Sequence, residues 1–244
     1  MSSPADDRHA IAAAVILAGG MGTRLREAVP DLPKPMAPVN GRPFLEHQMD
    51  YWIAQGIRHF VLSVGYRHES ISAHFGSAYR GVQVEYAVEQ SPLGTGGGVL
   101  LAAGRLHGEG PFLLLNGDTY FEVELAALEE FHARHSADWT FSLFRTEDAQ
   151  RYLGLSVDAD GRIRSLRADA GASPRLANGG VYLVEPEILR AYGWRSGDRL
   201  SLEEDMLPAL FSRGAKLYGR ESSGRFIDIG VPEDYRRSAG ILAS

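Results

Sequence analysis

Residues 11–18, IAAAVILA, lead directly into Gly19-Gly20-Met21-Gly22-Thr23-Arg24-Leu25. A short charge-free run of aliphatic residues that stops at glycines predicts a strand buried on both faces. Glycines placed just after such a strand let backbone N–H groups approach phosphate oxygens, although glycine alone serves equally well in an ordinary strand-to-helix turn. Two familiar phosphate loops do not fit. A dinucleotide fingerprint requires a third glycine where Leu25 stands, which counts against a nicotinamide-dependent oxidoreductase. A Walker A loop requires Gly-Lys-Ser/Thr, a triplet the chain lacks.

Outward from this stretch, strand and helix patterns alternate. The loop 19–42 is rich in Gly and Pro, and a loop of that length inside a domain is usually functional or disordered. Pro43 opens a helix running to Gly56, with Phe44, Leu45, Met49, Trp52 and Ile53 on one side at helical spacing. Strands are predicted at 57–64, 82–88 and 111–115, helices at 67–75, from the loop 90–98 to about 106, and at 123–135. The second half changes character. It reads as a strand at 138–145, a hairpin of 154–158 and 162–167 around Asp158-Ala159-Asp160-Gly161, and strands at 180–184 and 224–229. A helix is predicted at 201–212, with Ser201 and Glu204 spaced as a capping box, and Pro232 opens a last one. The expected fold is α/β: a doubly wound, mostly parallel, Rossmann-like sheet with helices on both faces and a mixed or antiparallel second half. No repeat or linker interrupts residues 1–244, so one domain is expected, with 1–10 as a flexible N-terminal extension.

Composition narrows the function classes. The 244 residues are 44% hydrophobic and 23% charged, as in an ordinary globular protein. No uninterrupted apolar stretch reaches transmembrane length, and Met1 to His9 is polar, without the features of a signal peptide. A cytoplasmic protein without membrane attachment is expected. The absence of cysteine excludes disulfides, thiolate zinc sites and a cysteine nucleophile. A net charge of −6 without a basic run argues against nucleic acid as a partner. An anionic substrate would therefore need a locally positive site or a metal. None of the eight His residues lies in a metal-binding motif such as HExxH, and His132 and His135 are read as structural or solvated with the rest.

Of 25 basic residues only two are Lys, Lys34 and Lys216. Lys34 stands between Pro33 and Pro35, which fix the backbone on both sides of a compact ammonium suited to phosphate. Glu89-Gln90-Ser91-Pro92-Leu93-Gly94-Thr95-Gly96 joins a strand to a helix through glycines and forms a second edge for an anion or a base. Leu115-Asn116-Gly117-Asp118 and Phe226-Ile227-Asp228-Ile229-Gly230 each deliver an aspartate from the end of an apolar strand, at one sheet edge. Either Asp alone reads as a turn residue, whereas together they can hold a hard cation such as Mg²⁺.

Taken jointly, LAGGMGTR (17–24), PKP (33–35), PLGTG (92–96), NGD (116–118), NGGVY (178–182), DIG (228–230) and PEDY (232–235) resemble the motifs of the sugar-nucleotide nucleotidyltransferases in order and approximate spacing. The resemblance covers about residues 11–240. Within that family, DLPKPMAPVNGRPFLEHQMDYW, VLSVGYRHESISAHFG and LNGDTYFEV look most like the short D-glycero-α-D-manno-heptose 1-phosphate guanylyltransferases. It implies a nucleotidyltransferase domain that uses Mg²⁺ to join GTP to a sugar 1-phosphate with release of pyrophosphate. By motif match, Leu17, Ala18, Gly19, Gly20, Gly22 and Thr23 would cradle the triphosphate, with Asn116 and Gly117 beside it. Arg24 would hold the outer phosphates, and Lys34 would bridge phosphates at the reacting centre. Asp118 and Asp228 would hold Mg²⁺, Asp118 counting with Arg24 and Lys34 as catalytic. Glu89, Pro92, Leu93, Gly94 and Thr95 would frame the base. Gly154, Asn178 and Gly179 would lie near the sugar.

One departure from the family stands out. Many relatives carry a second Lys in a Glu-Lys-Pro stretch after the hairpin, where this chain has Leu166-Arg167-Ala168-Asp169-Ala170. Arg167 or Arg175 would then take the sugar phosphate, or the acceptor phosphate would be held differently. With the sequence ending soon after its last predicted helix, the repeat-built C-terminal domain that some relatives carry is not expected. A mannose 1-phosphate guanylyltransferase, a short uridylyltransferase and a non-enzymatic regulatory subunit of the same fold are the alternatives, and a homodimer is left open.

Overall fold

The computed structural model describes residues 11–20, 25, 29–30, 32–148, 151–152, 154–167 and 175–243. The expected extension 1–10 and the site candidates Gly22, Thr23 and Arg24 lie outside the described residues, as do Ala168 to Ala170.

The first half alternates as its apolar pattern predicts. β1 (Ala13–Leu17) leads through a 3-10 turn at Lys34–Met36 and a small ribbon of β2 (Pro38–Val39) and β3 (Arg42–Pro43) to α1 (Phe44–Ala54). β4 (His59–Val64), α2 (His68–Phe75), β5 (Ala78–Tyr79), β6 (Val82–Val88) and α3 (Gly94–Ala103) follow. Then come β7 (Phe112–Asn116), β8 (Thr119–Phe121) and α4 (Leu125–Arg134). β7, β1, β4 and β6 lie side by side and parallel, with β5 antiparallel on the outer edge.

The second half is mixed, as the hairpin signal requires. β9 (Trp139–Thr146) and the hairpin of β10 (Gly154–Val157) and β11 (Ile163–Ser165) precede β12 (Arg175–Val184). β12 pairs antiparallel with β7, β9 and β10, and so ties the halves into one sheet. α5 (Pro186–Ala191), a π-helical turn at Leu202–Met206, α6 (Leu207–Ser212) and β13 (Leu217–Glu221) come next. β13 is parallel to β9 and falls in a stretch with no predicted element. β14 (Phe226–Asp228) and α7 (Pro232–Ile241) complete the order.

The helix α5 and the strand β13 have no counterpart among the expected elements, and two further details differ from the sequence reading. β12 is twice the predicted 180–184, because its first residues pair with β9 and β10 although their sequence, RLANG, is polar. At 201–212 the Ser201 Oγ accepts from Glu204 N at 3.1 Å as a cap should, but the reciprocal bond to Ser201 N comes from Asp205, at 2.7 Å. The first turn winds as π-helix, and its extra residue shifts the reciprocating side chain by one.

Burial follows the period-two alternation of the strands. On one face Ala14, Ile16, Phe60, Leu62, Leu113 and Leu115 pack with Leu45, Met49 and Trp52 of α1 and Leu128 of α4. On the other, Val15, Val61, Leu114 and Tyr182 pack with Val99 of α3 and Leu207 and Leu210 of α6. Helices therefore cover both faces, and the carboxyl ends of β1, β4, β6 and β7 are left at one edge, where ligands bind in open α/β sheets. A third cluster of Leu25, Val29, Phe44, Tyr120, Ile227 and Ile229 seats the β8–β14 ribbon beside that edge.

Candidate active site

The carboxyl-terminal edge of the sheet opens into a cavity of about 680 Å³. Its walls carry Leu17, Ala18, Gly19 and Gly20 from the end of β1, and Asn116, Gly117 and Asp118 from the end of β7. Glu89, Pro92, Gly94 and Thr95 line it between β6 and α3, and Lys34 and Pro35 form part of its wall. The described phosphate-side and base-side candidates, with Asp118, thus converge from four separate segments, whereas Asp228 is not part of the wall. Leu93 is not in the wall, and its backbone N–H instead donates to Glu89 Oε2 at 2.9 Å.

The two strand ends are held very close. Gly117 N donates to Leu17 O at 3.0 Å, and a Cβ on Gly117 would lie 2.4 Å from that same oxygen. Only glycine lets the Asn116-Gly117-Asp118 turn lean over the end of β1 and aim Asp118 across the cavity mouth. Gly19 has a similar constraint on the other side, since a Cβ there would stand 2.7 Å from Glu89 Oε1. Glu89 is half-buried, and Ser63 Oγ donates to its Oε1 at 3.4 Å. Its two oxygens each retain acceptor capacity toward a ligand.

Lys34 is the organising cation. Its side chain is 11% exposed, and its Nζ donates to Asp118 Oδ2 at 2.5 Å. Asp228 reaches the same place by a route the sequence reading did not foresee. It does not end a strand of the main sheet. β14 pairs instead with β8, in a register that sets Asp228 opposite Thr119, the residue after Asp118. Ile229 N donates to Asp118 O at 2.9 Å, and Gly230 N donates to Asp228 Oδ1 at 2.5 Å. A Cβ on Gly230 would come within 3.3 Å of Lys34 Nζ, so both acids and the ammonium share one small volume. Burial, and then the charge of Asp118, push the Asp228 carboxyl above its ordinary range, while Lys34 and Arg151 oppose the shift. Two acids forced together in this way favour a cation between them. Among the described residues no cluster of three or more His, Cys, Asp and Glu could cage a metal. Two carboxylates with room for ligand oxygens suit Mg²⁺, which keeps much of its shell for water and phosphate.

Arg151 is a site residue that sequence reasoning missed. Its guanidinium pairs with the buried Asp234, donates to Asp228 O at 3.1 Å and lies 3.9 Å from Asp228 Oδ2. It ties the PEDY helix start to the second acid, and nothing in its local sequence marks it. Gln90 and Ser91 of the Glu89–Gly96 stretch line the cavity as well, and so do Ser63, Gly65, Tyr66, Gly98 and Glu203, to which no motif pointed.

The predicted sugar-side residues are outside the cavity wall. Gly154 is buried on β10 opposite Ala177. Asn178 Nδ2 donates to Tyr182 Oη at 2.7 Å, its Oδ1 accepts from Gly180 N, and Gly179 backs onto Phe121. These contacts shape an irregularity in the β9–β12 pairing between Asn178 and Tyr182. Arg167 is exposed after β11, and Arg175 begins β12. His132, read as structural, is indeed buried, with Nδ1 2.8 Å from Thr140 Oγ1. Among the described residues no helix is long and apolar enough to cross a membrane.

Comparison with known proteins agrees with this arrangement. The chain is 40% identical over 225 residues to a D-glycero-alpha-D-manno-heptose 1-phosphate guanylyltransferase of Aneurinibacillus thermoaerophilus, covering 92% of this chain and 96% of that one. It is 35% identical over 232 residues to a mannose-1-phosphate guanylyltransferase of Mycobacterium tuberculosis, covering 94% of this chain and 64% of the longer relative. The crystal structure of HddC from Yersinia pseudotuberculosis complexed with GMP-PN superposes with a TM-score of 0.81 at 32% identity, covering 94% of this chain and 99% of that one. The family model described as nucleotidyl transferase matches residues 13–243, the stretch that holds the whole sheet, the glycine-walled cavity and both acids, and the chain belongs to that family.

Proposed function

We propose that this chain is a Mg²⁺-dependent guanylyltransferase that joins GTP to a sugar 1-phosphate, D-glycero-α-D-manno-heptose 1-phosphate, and releases pyrophosphate. The observation that carries the reaction class is the meeting of Lys34, Asp118 and Asp228 beside a glycine-walled cavity that Lys34 and Asp118 line. The choice of base and sugar is supported by the similarity to the heptose enzyme of Aneurinibacillus and by the GMP-PN complex of the Yersinia protein.

In the reaction an oxygen of the sugar phosphate attacks the α-phosphorus of GTP. The bond from that phosphorus to the α–β bridging oxygen breaks, and pyrophosphate leaves with the electron pair. Both reactants are polyanions, so the work is positioning and charge neutralisation, without a covalent enzyme intermediate. The backbone at Gly19 and Gly20 lets the triphosphate lie against the sheet edge. Lys34 moves from Asp118 onto the phosphates, where a compact ammonium compensates charge gathering at the reacting centre. Asp118 and Asp228 would hold Mg²⁺, which when bound neutralises phosphate charge and stabilises the departing pyrophosphate. Arg24 acts on the outer phosphates, as the family resemblance implies. Arg151, fixed beside Asp228, offers a cation on the acceptor side in place of the Lys this chain lacks.

The test is pyrophosphate release measured over four nucleoside triphosphates crossed with heptose, mannose and glucose 1-phosphates, with and without EDTA. The expected result is release with GTP and the heptose phosphate, abolished by chelator and restored by Mg²⁺. Preference for mannose 1-phosphate would select the second reading, which the Mycobacterium relative favours. Full turnover in excess EDTA would remove the metal from the reaction.

A further inference from the structure

The buried side of α1 carries Leu45, Met49 and Trp52, and Gln48 lies among them at helical spacing although it is polar. Its residue is 2% exposed. A buried amide needs partners, and Gln48 finds them outside its own helix. Its Nε2 donates to Asn116 O at 2.8 Å and to Thr119 O at 2.7 Å. Carbonyl oxygens only accept, so the amide nitrogen has to face them and the orientation of the group is fixed. Its Oε1 is buried with no hydrogen-bond partner among the described residues. The helix therefore tolerates an orphaned acceptor in order to keep two donors on these carbonyls.

The two carbonyls bracket Gly117 and Asp118, the turn that aims the first acid. Gly117 N ties this turn to β1 through Leu17 O, and Asp118 O ties it to Ile229 N beside the second acid. Gln48 ties it to α1. That helix follows closely on the 3-10 turn that carries Lys34: Phe44 N donates to Ala37 O at 2.9 Å, and Met36 belongs to the same apolar cluster as Leu45 and Met49. Lys34 and Asp118 meet at 2.5 Å because the backbones that present them are both braced on α1. A misplacement of about 1 Å in a positioned group can cost on the order of 10²-fold in rate. Farther along α1, Tyr51 Oη and Gln55 Nε2 each donate to Val123 O at 3.1 Å, and Gln55 Oε1 accepts from Leu125 N at 2.7 Å. Those bonds hold the chain beyond β8 and bypass the acids. We propose that Gln48 is a positioning residue for the transfer reaction, clamping the backbone on both sides of Asp118 so that its carboxylate stays set against Lys34 and Asp228. The inference rests on the reaction proposed above.

The test compares wild type with Gln48→Met, Gln48→Glu and, as a control, Gln55→Met. Methionine fills the same length on an apolar helix side and removes the donors together with the orphaned acceptor. Glutamate keeps the shape but turns an acceptor on two carbonyls, and its variant should be the slower of the two. In both Gln48 variants kcat should fall roughly 10–100-fold, the scale for losing an outer partner of a site ligand, with KM for GTP within about twofold. In the ligand-free protein, amide hydrogen exchange at Gly117 and Ile229 should quicken at least about tenfold beyond what the change in global stability explains. Gln55→Met should lower Tm through its lost hydrogen bonds and leave both kcat and those two amides as in wild type. Gln48 variants no slower than Gln55→Met would overturn the proposal. So would exchange at Gly117 and Ile229 that follows global stability alone. Loss of a cooperative calorimetric transition in both Gln48 variants would make Gln48 a support of the core and overturn it too. Wild type that releases pyrophosphate with no sugar 1-phosphate of the panel would overturn the parent reading, whereas the exchange measurement needs no substrate and judges the clamp by itself.

Discussion

Lys34 owes its role to its rarity and its neighbours. In a chain with 23 Arg and two Lys, an ammonium locked between prolines calls for a reason, and its 2.5 Å contact with Asp118 supplies one. Lys34→Ala should lower kcat roughly 10²–10³-fold, the scale for losing one charged transition-state contact, with a wild-type circular dichroism spectrum. Lys34→Arg should restore only part of that, because a planar fork replaces a point charge. An Arg variant as fast as wild type would show that charge alone is needed. Glu89 makes a second residue-scale case. Guanine presents two adjacent donors, N1–H and the N2 amino group, and a carboxylate can accept both. Glu89→Gln should cost about 1–3 kcal/mol in kcat/KM for GTP, the scale of one bidentate base contact, and should relax discrimination against UTP. Competition between GTP and UTP measures it, and an unchanged ratio would take Glu89 out of base reading. Arg151 and Glu203 escaped the sequence for a physical reason. Each is held by a partner distant in the chain, Asp228 or Thr95, and each sits in a polar stretch that reads as ordinary surface.

At the scale of elements, the parallel half is legible because continuous apolar runs between glycines admit few alternatives. The stretch 82–88, for one, has the bounds of β6. The β8–β14 ribbon is only half legible: a strand is expected at 224–229, but the three-residue β8 carries too few side chains to show a period, and the pairing of the two leaves no mark in the sequence. Yet that ribbon, rather than the sheet edge, brings the second acid to the first. The turn between β7 and β8 is the element on which both depend, and Gly117 is its tightest point. Gly117→Ala would drive a Cβ into Leu17 O, 2.4 Å away, with backbone on both sides and no flexible side chain to yield. Overpacking of this kind costs about 1–3 kcal/mol, so Tm should fall by roughly 2–12 °C for a chain of this size. Turnover should fall further than stability accounts for, because the shift misaims Asp118. Differential scanning calorimetry paired with kinetics below the transition separates the two effects, and an Ala variant with wild-type kcat would show that the turn has slack.

Across the whole molecule the sheet separates chemistry from acid sensitivity. The cavity occupies the carboxyl ends of the parallel strands. At the opposite edge, a smaller cavity of about 420 Å³ is lined by Ala13, Phe112, Leu183, His132 and Glu185. His132 is 4% exposed there, with Nδ1 against Thr140 Oγ1 and Nε2 3.3 Å from Glu185 Oε1. Burial pushes its imidazole down to about 4, against a smaller opposing pull from Asp138. The folded state therefore holds His132 neutral over a range where the unfolded chain, near 6.5, binds a proton. Between pH 6.5 and 4 the unfolded state carries the extra proton, so stability falls as pH drops through that window and is complete above it. The loss should reach up to about 3 kcal/mol at the acid end, with Glu185 beside Nε2 reducing it by favouring the charged ring. Urea denaturation at pH 4.5, 5.5, 6.5 and 7.5 measures the slope, and His132→Gln, which cannot titrate, should flatten it. Because His132 stands at the far edge from Lys34 and Asp118, the same variant should leave the pH profile of kcat in place. An unchanged stability slope in His132→Gln would assign the acid sensitivity to the carboxylates instead.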